Sequence, residues 1–149
     1  MKTARIMAIA LIAALILPLA ACGERWPLPE DPQVIIERET EIDGVSVRVL
    51  TVSGRDYAYY GRLKGSLRKG DTAGVLGYVA RPEFPDDRAQ RIIALEGTDD
   101  IVVEYYVAGV MEQPVFLRAL DTRGQRIDLP AFIEPALDEP DTARLWKEN

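Results

Sequence analysis

The chain of 149 residues contains no histidine and one cysteine, Cys22. Without histidine there is no Ser–His–Asp triad, no histidine-ligated zinc or haem, and no side chain whose ordinary pKa lies near neutrality. A single cysteine excludes an intrachain disulfide and a Cys-cluster metal site. A membrane-spanning run is missing too. The apolar stretch Ile6 to Ala21 is 16 residues, and a spanning helix needs about 20. Basic residues are outnumbered, 18 against 24 acids, for a net charge of −6. That sign is wrong for nucleic acid, whose phosphates reward basic surfaces. Chemistry would have to rest on carboxylates, Lys, Tyr or Ser, and the chain is expected to be neither an enzyme nor a cofactor carrier.

Near-matches to known motifs fail on chemistry. Gly65 to Thr72 reads GSLRKGDT, close to the phosphate loop G-x-x-x-x-G-K-[ST]. Asp71 stands where lysine is required, and its carboxylate would repel the phosphates. Ser66 to Lys69 fits S-x-x-K, but the S-D-N and K-T-G elements of that site do not occur. The acidic groups Asp86-Asp87, Asp99-Asp100 and Asp138, Glu139 and Asp141 lack the D-x-[DN]-x-[DN]-G calcium pattern. They lie beside prolines or turns, where Asp serves local hydrogen bonding. No metal is expected.

What is present begins at the N-terminus. Lys2 and Arg5 precede twelve apolar residues, Ile6 to Leu17; Pro18 follows, and then Leu19-Ala20-Ala21-Cys22. This is the layout of a secretory signal. The tetrapeptide resembles the lipobox of bacterial lipoproteins, in which the peptide is cut before the cysteine and the cysteine carries the lipid. The resemblance covers residues 1–22. It implies a signal peptide at 1–21, a lipidated Cys22 and a location in the bacterial envelope. Gly23, in place of the Asp that favours inner-membrane retention in enterobacterial members, points to the outer membrane facing the periplasm. Cleavage removes Lys2 and Arg5 and no acid, leaving 128 residues with a side-chain charge of −8. The lipid is then the expected membrane contact.

Residues 22–32 hold three prolines and read as an extended tether, which at about 3.1 Å per residue spans roughly 30 Å. Trp26 and Leu28 are its apolar exceptions. They are read as packing on the domain's edge, with an interfacial or partner-docking tryptophan as the alternative. From 33 to 129 the pattern is of strands: Val34 to about Glu41, Val45 to Val52, Tyr57 to Leu63, Thr72 to Ala80, Arg88 to Glu96, Ile101 to Val107, Pro114 to Asp121 and Gln125 to Leu129. Asp43-Gly44, Ser53-Gly54 and Asp121-Thr122-Arg123-Gly124 mark turns, and Gly74 and Gly77 inside a strand suggest a bulge or close backbone approach. Residues 130–149 form an irregular extension in which Asp141 could cap a short helix. About eight short antiparallel strands predict an all-β domain. An immunoglobulin-like β-sandwich is the first choice, and a small closed or half-open β-barrel is the alternative.

Two groups stand out as candidate contacts. Arg62, Lys64, Arg68 and Lys69 concentrate positive charge on an acidic chain, suited to an anion or an acidic partner; the plainer reading is a solvated loop. Tyr60 and Tyr106 fall on the outward side of their strands beside Arg62 and Glu104, where exposed rings would suit a sugar, peptide or protein. The expected function is a lipid-anchored structural, adaptor or protein-interaction module, with an envelope protein or glycan as partner. A module for a small ligand or glycan is the alternative, and a carboxylate-based hydrolase ranks third.

Overall fold

Two hairpins set the local geometry. Asp43-Gly44 and Ser53-Gly54 have positive φ at both central positions, 51° and 75° in the first and 51° and 79° in the second. Such two-residue turns match the natural twist of the strands they join. The computed structural model describes residues 25–105 and 113–147. Among these, the strands are β1 (Gln33–Ile36), β2 (Arg38–Ile42), β3 (Val45–Val52), β4 (Arg55–Leu63), β5 (Thr72–Ala80), β6 (Gln90–Leu95), β7 (Ile101–Tyr105), β8 (Val115–Ala119) and β9 (Ile133–Pro135). One short α-helix among the described residues, α1 (Pro140–Leu145), follows.

The strands form one sheet in the order β1-β5-β6-β7-β8-β4-β3-β2, with β9 added to β4. Only β1 and β5 run parallel. β1 and β2 occupy opposite ends of this order, yet Glu37 alone separates them in the chain. One residue advances the backbone by at most about 3.6 Å. The two ends of the sheet must therefore meet, and the sheet must curl. β1 lies against β3. There Gln33 Nε2 donates to Ser53 Oγ at 2.9 Å, and Gln33 Oε1 accepts from the Ser53 amide at 3.0 Å. The all-β fold is thus as expected. Its facing layers are two halves of one curled mixed sheet, so the fold takes the half-open barrel form expected as the alternative to two packed sheets.

Side chains on the two faces alternate. Ile35, Val79, Ile92, Ile101, Leu117, Tyr57 and Leu50 come one from each of β1, β5, β6, β7, β8, β4 and β3, and pack together inside the curl. The outer face is also covered. Tyr60, Ile93, Val102 and Phe116 pack under Trp26, Leu67, Ile133, Leu145 and Trp146, which come from segments flanking the main strands. Two glycines permit close approach of backbones. A Cβ on Gly77 would overlap the Gln33 carbonyl of β1, and one on Gly61 would overlap the Glu134 carbonyl of β9. Both sit where the register shifts, Val75/Gly77 in β5 and Tyr59/Gly61 in β4.

Several sequence expectations need correction. The strand from Val34 to Glu41 is two strands, broken at Glu37 where the chain passes between sheet ends. Gln125 to Leu129 forms no strand. Buried Arg118 reaches out of β8, donating through Nε to Thr122 Oγ1 at 2.8 Å and through Nη2 to the carbonyls of Thr122 and Gln125. These bonds hold the segment as a coil. The extension is part of the domain, since β9 pairs with β4 and Trp146 is buried. α1 is preceded by Glu139 as N-cap, with Pro140 at its start and Asp141 within its first turn.

The tether is much shorter than its proline content suggests. Trp26 is 4% exposed, its indole Nε1–H donates to Glu104 Oε2 at 2.6 Å, and its carbonyl accepts from Arg91 Nε at 2.9 Å. The folded domain therefore includes Arg25 and Trp26, and the reading of Trp26 as packed on the domain holds.

Two variant pairs test this packing by thermal or denaturant unfolding. Gly77→Ala should destabilise by about 1–3 kcal/mol through the forced shift of β1, while Gly70→Ala, whose Cβ meets open space, should stay within about 0.5 kcal/mol. Trp26→Ala should lose about 3–5 kcal/mol, and Trp26→Phe should lose less because the ring volume is mostly kept.

Candidate functional site

β3 contributes both polar and apolar residues to the candidate site. Ser46, Arg48, Leu50 and Val52 share one face of the strand, polar towards the Asp43-Gly44 turn and apolar towards the Ser53-Gly54 turn. Because the sheet curls, this face points into the half-barrel. Its apolar part joins the interior core and its polar part reaches the mouth.

The mouth holds a cavity of about 410 Å³. Its floor is Leu50, Val79, Val103, Val115 and Leu117, contributed by β3, β5, β7 and β8. Thr142 and Leu145 of α1 form one wall. The polar rim is Glu37, Ser46, Arg48, Tyr59, Gln90 and Asp141. Volume and lining match sites for small molecules, in which an apolar pocket takes most of the ligand and a few polar groups orient it.

Electrostatics at the rim are organised by pairs. Arg48 faces Glu37 at 3.7 Å across the corner between β1 and β2. Tyr59 Oη accepts from Arg62 Nε at 3.0 Å and lies 3.4 Å from Glu139 Oε1, which also takes Arg62 Nη2 at 2.7 Å. Trp146 Nε1–H donates to the Tyr59 carbonyl at 2.7 Å and fixes this part of the wall. Burial raises the Tyr59 phenol above its ordinary pKa, with Arg62 opposing. The phenol is therefore a neutral hydrogen-bonding group near neutral pH. The arrangement can seat an apolar segment and orient a polar head.

The residues singled out in the sequence are dispersed. Arg62 belongs to the Tyr59–Glu139 cluster. Lys64, Arg68 and Lys69 are exposed on the loop between β4 and β5. Tyr60 does not face outward as its strand position suggested. It is 4% exposed, edge-on to Phe116 and Trp146, with the Arg118 guanidinium 5.2 Å from its ring centre. Alternation along β4 implied one solvent-facing side, but both of its faces are covered. Cys22 and Tyr106 lie outside the described residues. Glu37, Gln90 and Asp141 were not legible as rim residues, because each comes from a different part of the chain and carries no motif.

The buried carboxylates among the described residues are Asp100 and Glu104. Neither lines the cavity. Glu104 holds Trp26 and sits 3.6 Å from Arg25. Asp100 accepts from the Ala119 amide at 3.1 Å. Among the described residues no helix is long and apolar enough to cross a membrane. No protein-family model, curated protein or solved structure matches the chain.

Burial raises the Asp100 pKa, and the Ala119 amide and Arg118 only partly offset this. A carboxyl with a raised folded-state pKa favours folding while protonated, and that contribution is lost as pH rises through the folded value. Asp100→Asn keeps an acceptor for the Ala119 amide without the buried charge. The melting temperature of the variant relative to the parent should therefore climb between about pH 4 and pH 7. A constant difference across that range would show that Asp100 does not titrate as described.

Proposed function

We propose that the chain is a bacterial lipoprotein, anchored through a lipid on Cys22, whose half-barrel binds a small amphipathic ligand at its mouth in the cell envelope. The observation that carries the binding reading is the cavity of about 410 Å³ with an apolar floor and a rim bearing Arg48, Tyr59 and Gln90. The anchor reading rests on Leu19-Ala20-Ala21-Cys22 and the short apolar run before it. In this reading the protein does no chemistry. It holds or presents its ligand near the membrane, with the outer membrane favoured by Gly23.

An adaptor role is the second reading, and one observation favours it. Val34 and Ile36 are 56% and 64% exposed, and both point outward from β1. Two branched apolar side chains on one face of an end strand would suit contact with an envelope protein. The tyrosine contribution to such a surface is smaller than the sequence implied, since Tyr60 is buried.

Calorimetry separates the two. Titration of residues 22–149 with a short fatty acid, a lysophospholipid and a neutral monoacylglycerol should give saturable one-to-one binding for at least one of them. Val115→Trp, which fills the cavity from its floor, should weaken that binding at least about tenfold without lowering the melting temperature comparably. Equal binding by the variant, or saturable binding by none of the three, would remove the cavity reading. For the anchor, Cys22→Ala should abolish incorporation of labelled palmitate and release the protein from membranes. Continued labelling would overturn it.

A further inference from the structure

Arg25, the first described residue, is folded back on the domain. Its guanidinium donates to the Leu67 carbonyl, in the centre of the loop between β4 and β5, and lies 3.6 Å from Glu104. The next residue, Trp26, is locked into the outer core. The chain thus enters the fold against one particular loop. Cys22 is three residues upstream, which at full extension is roughly 10 Å of chain.

That loop is basic and its charges face outward. Leu67 is 1% exposed and pins the loop to the core, so Lys64, Arg68 and Lys69 around it project into solvent. Several other arginines of this acidic chain are ion-paired: Arg38 with Asp56, Arg55 with Asp121, Arg62 with Glu139. The side chains of Lys64, Arg68 and Lys69 make no ion pair among the described residues. Three unmatched cations therefore lie where the chain must emerge towards Cys22.

We infer that the Lys64–Lys69 loop is a membrane-docking surface, and that Lys64, Arg68 and Lys69 contact the phosphates of anionic phospholipid headgroups beside the anchor. This rests on the reading that Cys22 carries a lipid. The three-residue step from Cys22 to Arg25 keeps the loop close to the bilayer, where anionic lipid attracts basic side chains. The remainder of the acidic domain is then held away from the surface. The docked loop gives the anchored barrel one orientation instead of a free swing.

The test uses the single thiol of residues 22–149. Cys22 is coupled to a maleimide phospholipid in vesicles, so the outcome does not depend on whether cells acylate it. Failure here is thereby distinct from failure of palmitate labelling in cells. The coupled chain has three lysines: Lys64, Lys69 and the exposed Lys147. Acetylation by an amine-reactive ester, read by mass spectrometry, gives the reactivity of Lys64 and Lys69 relative to Lys147. On phosphatidylglycerol-containing vesicles this ratio should fall at least about fivefold below its value on pure phosphatidylcholine, and high salt should restore it. In Arg68→Gln the fall should be smaller with folding unchanged. A ratio that is the same on both vesicle types, or that is lowered only after adding an acidic protein partner, would overturn the proposal.

Discussion

The corner at Glu37 constrains everything else in this fold. One residue joins strands that lie at opposite ends of the sheet order. A flat or openly twisted sheet of eight strands cannot satisfy that connection, because its ends are several strand spacings apart. Curling brings β1 against β3, and the Gln33–Ser53 bonds fasten the seam without a continuous ladder. The interior core, with at least one side chain from each of seven strands, is the consequence. So is the mouth cavity, whose floor comes from strands that meet only when the sheet has curled.

Local backbone chemistry was largely legible in the sequence. The hairpins at Asp43-Gly44 and Ser53-Gly54 and the strand Thr72 to Ala80 are where turn residues and alternation place them. Gly77 marks a close approach, as an isolated strand glycine suggests. What was not legible depends on side chains acting at a distance. Arg118 uses its guanidinium to hold Thr122 and Gln125, which converts an expected hairpin into coil. Tyr60 was misplaced because period-two alternation shows that two faces differ, but not that one of them is wet. The rim was invisible for a similar reason. Ser46 and Arg48 alternate with the valines of β3 but carry no local mark of a site, and they meet Glu37, Gln90 and Asp141 only through the curl.

The second organising contact is the latch at Trp26. Its indole hydrogen bond to Glu104 and its carbonyl bond from Arg91 tie the start of the domain to β7 and β6. Prolines in the segment Gly23 to Pro32 suggested reach, but Arg25 and Trp26 within it are fixed to the domain. If Cys22 is lipidated as proposed, the latch converts a flexible leash into a short mount. Orientation at the membrane then follows from which loop the mount passes, and it passes the basic one. The outer core that receives Trp26 also receives Trp146 from the other end of the chain. Trp26 and Trp146 thus both cover the outer face, while the mouth is reached between β3, β6, β8 and α1.

The central claim is that curling of the sheet creates a ligand site at the mouth of the half-barrel. A two-dimensional amide NMR titration of residues 22–149 with the tightest-binding amphiphile tests it most directly. The account predicts shift changes that saturate together and centre on Ser46, Arg48, Tyr59, Gln90, Val103 and Val115, with little change at Gly54, Thr98 and Asp121 at the far end. Perturbations centred on Val34 and Ile36, or spread evenly over the sheet, would contradict it.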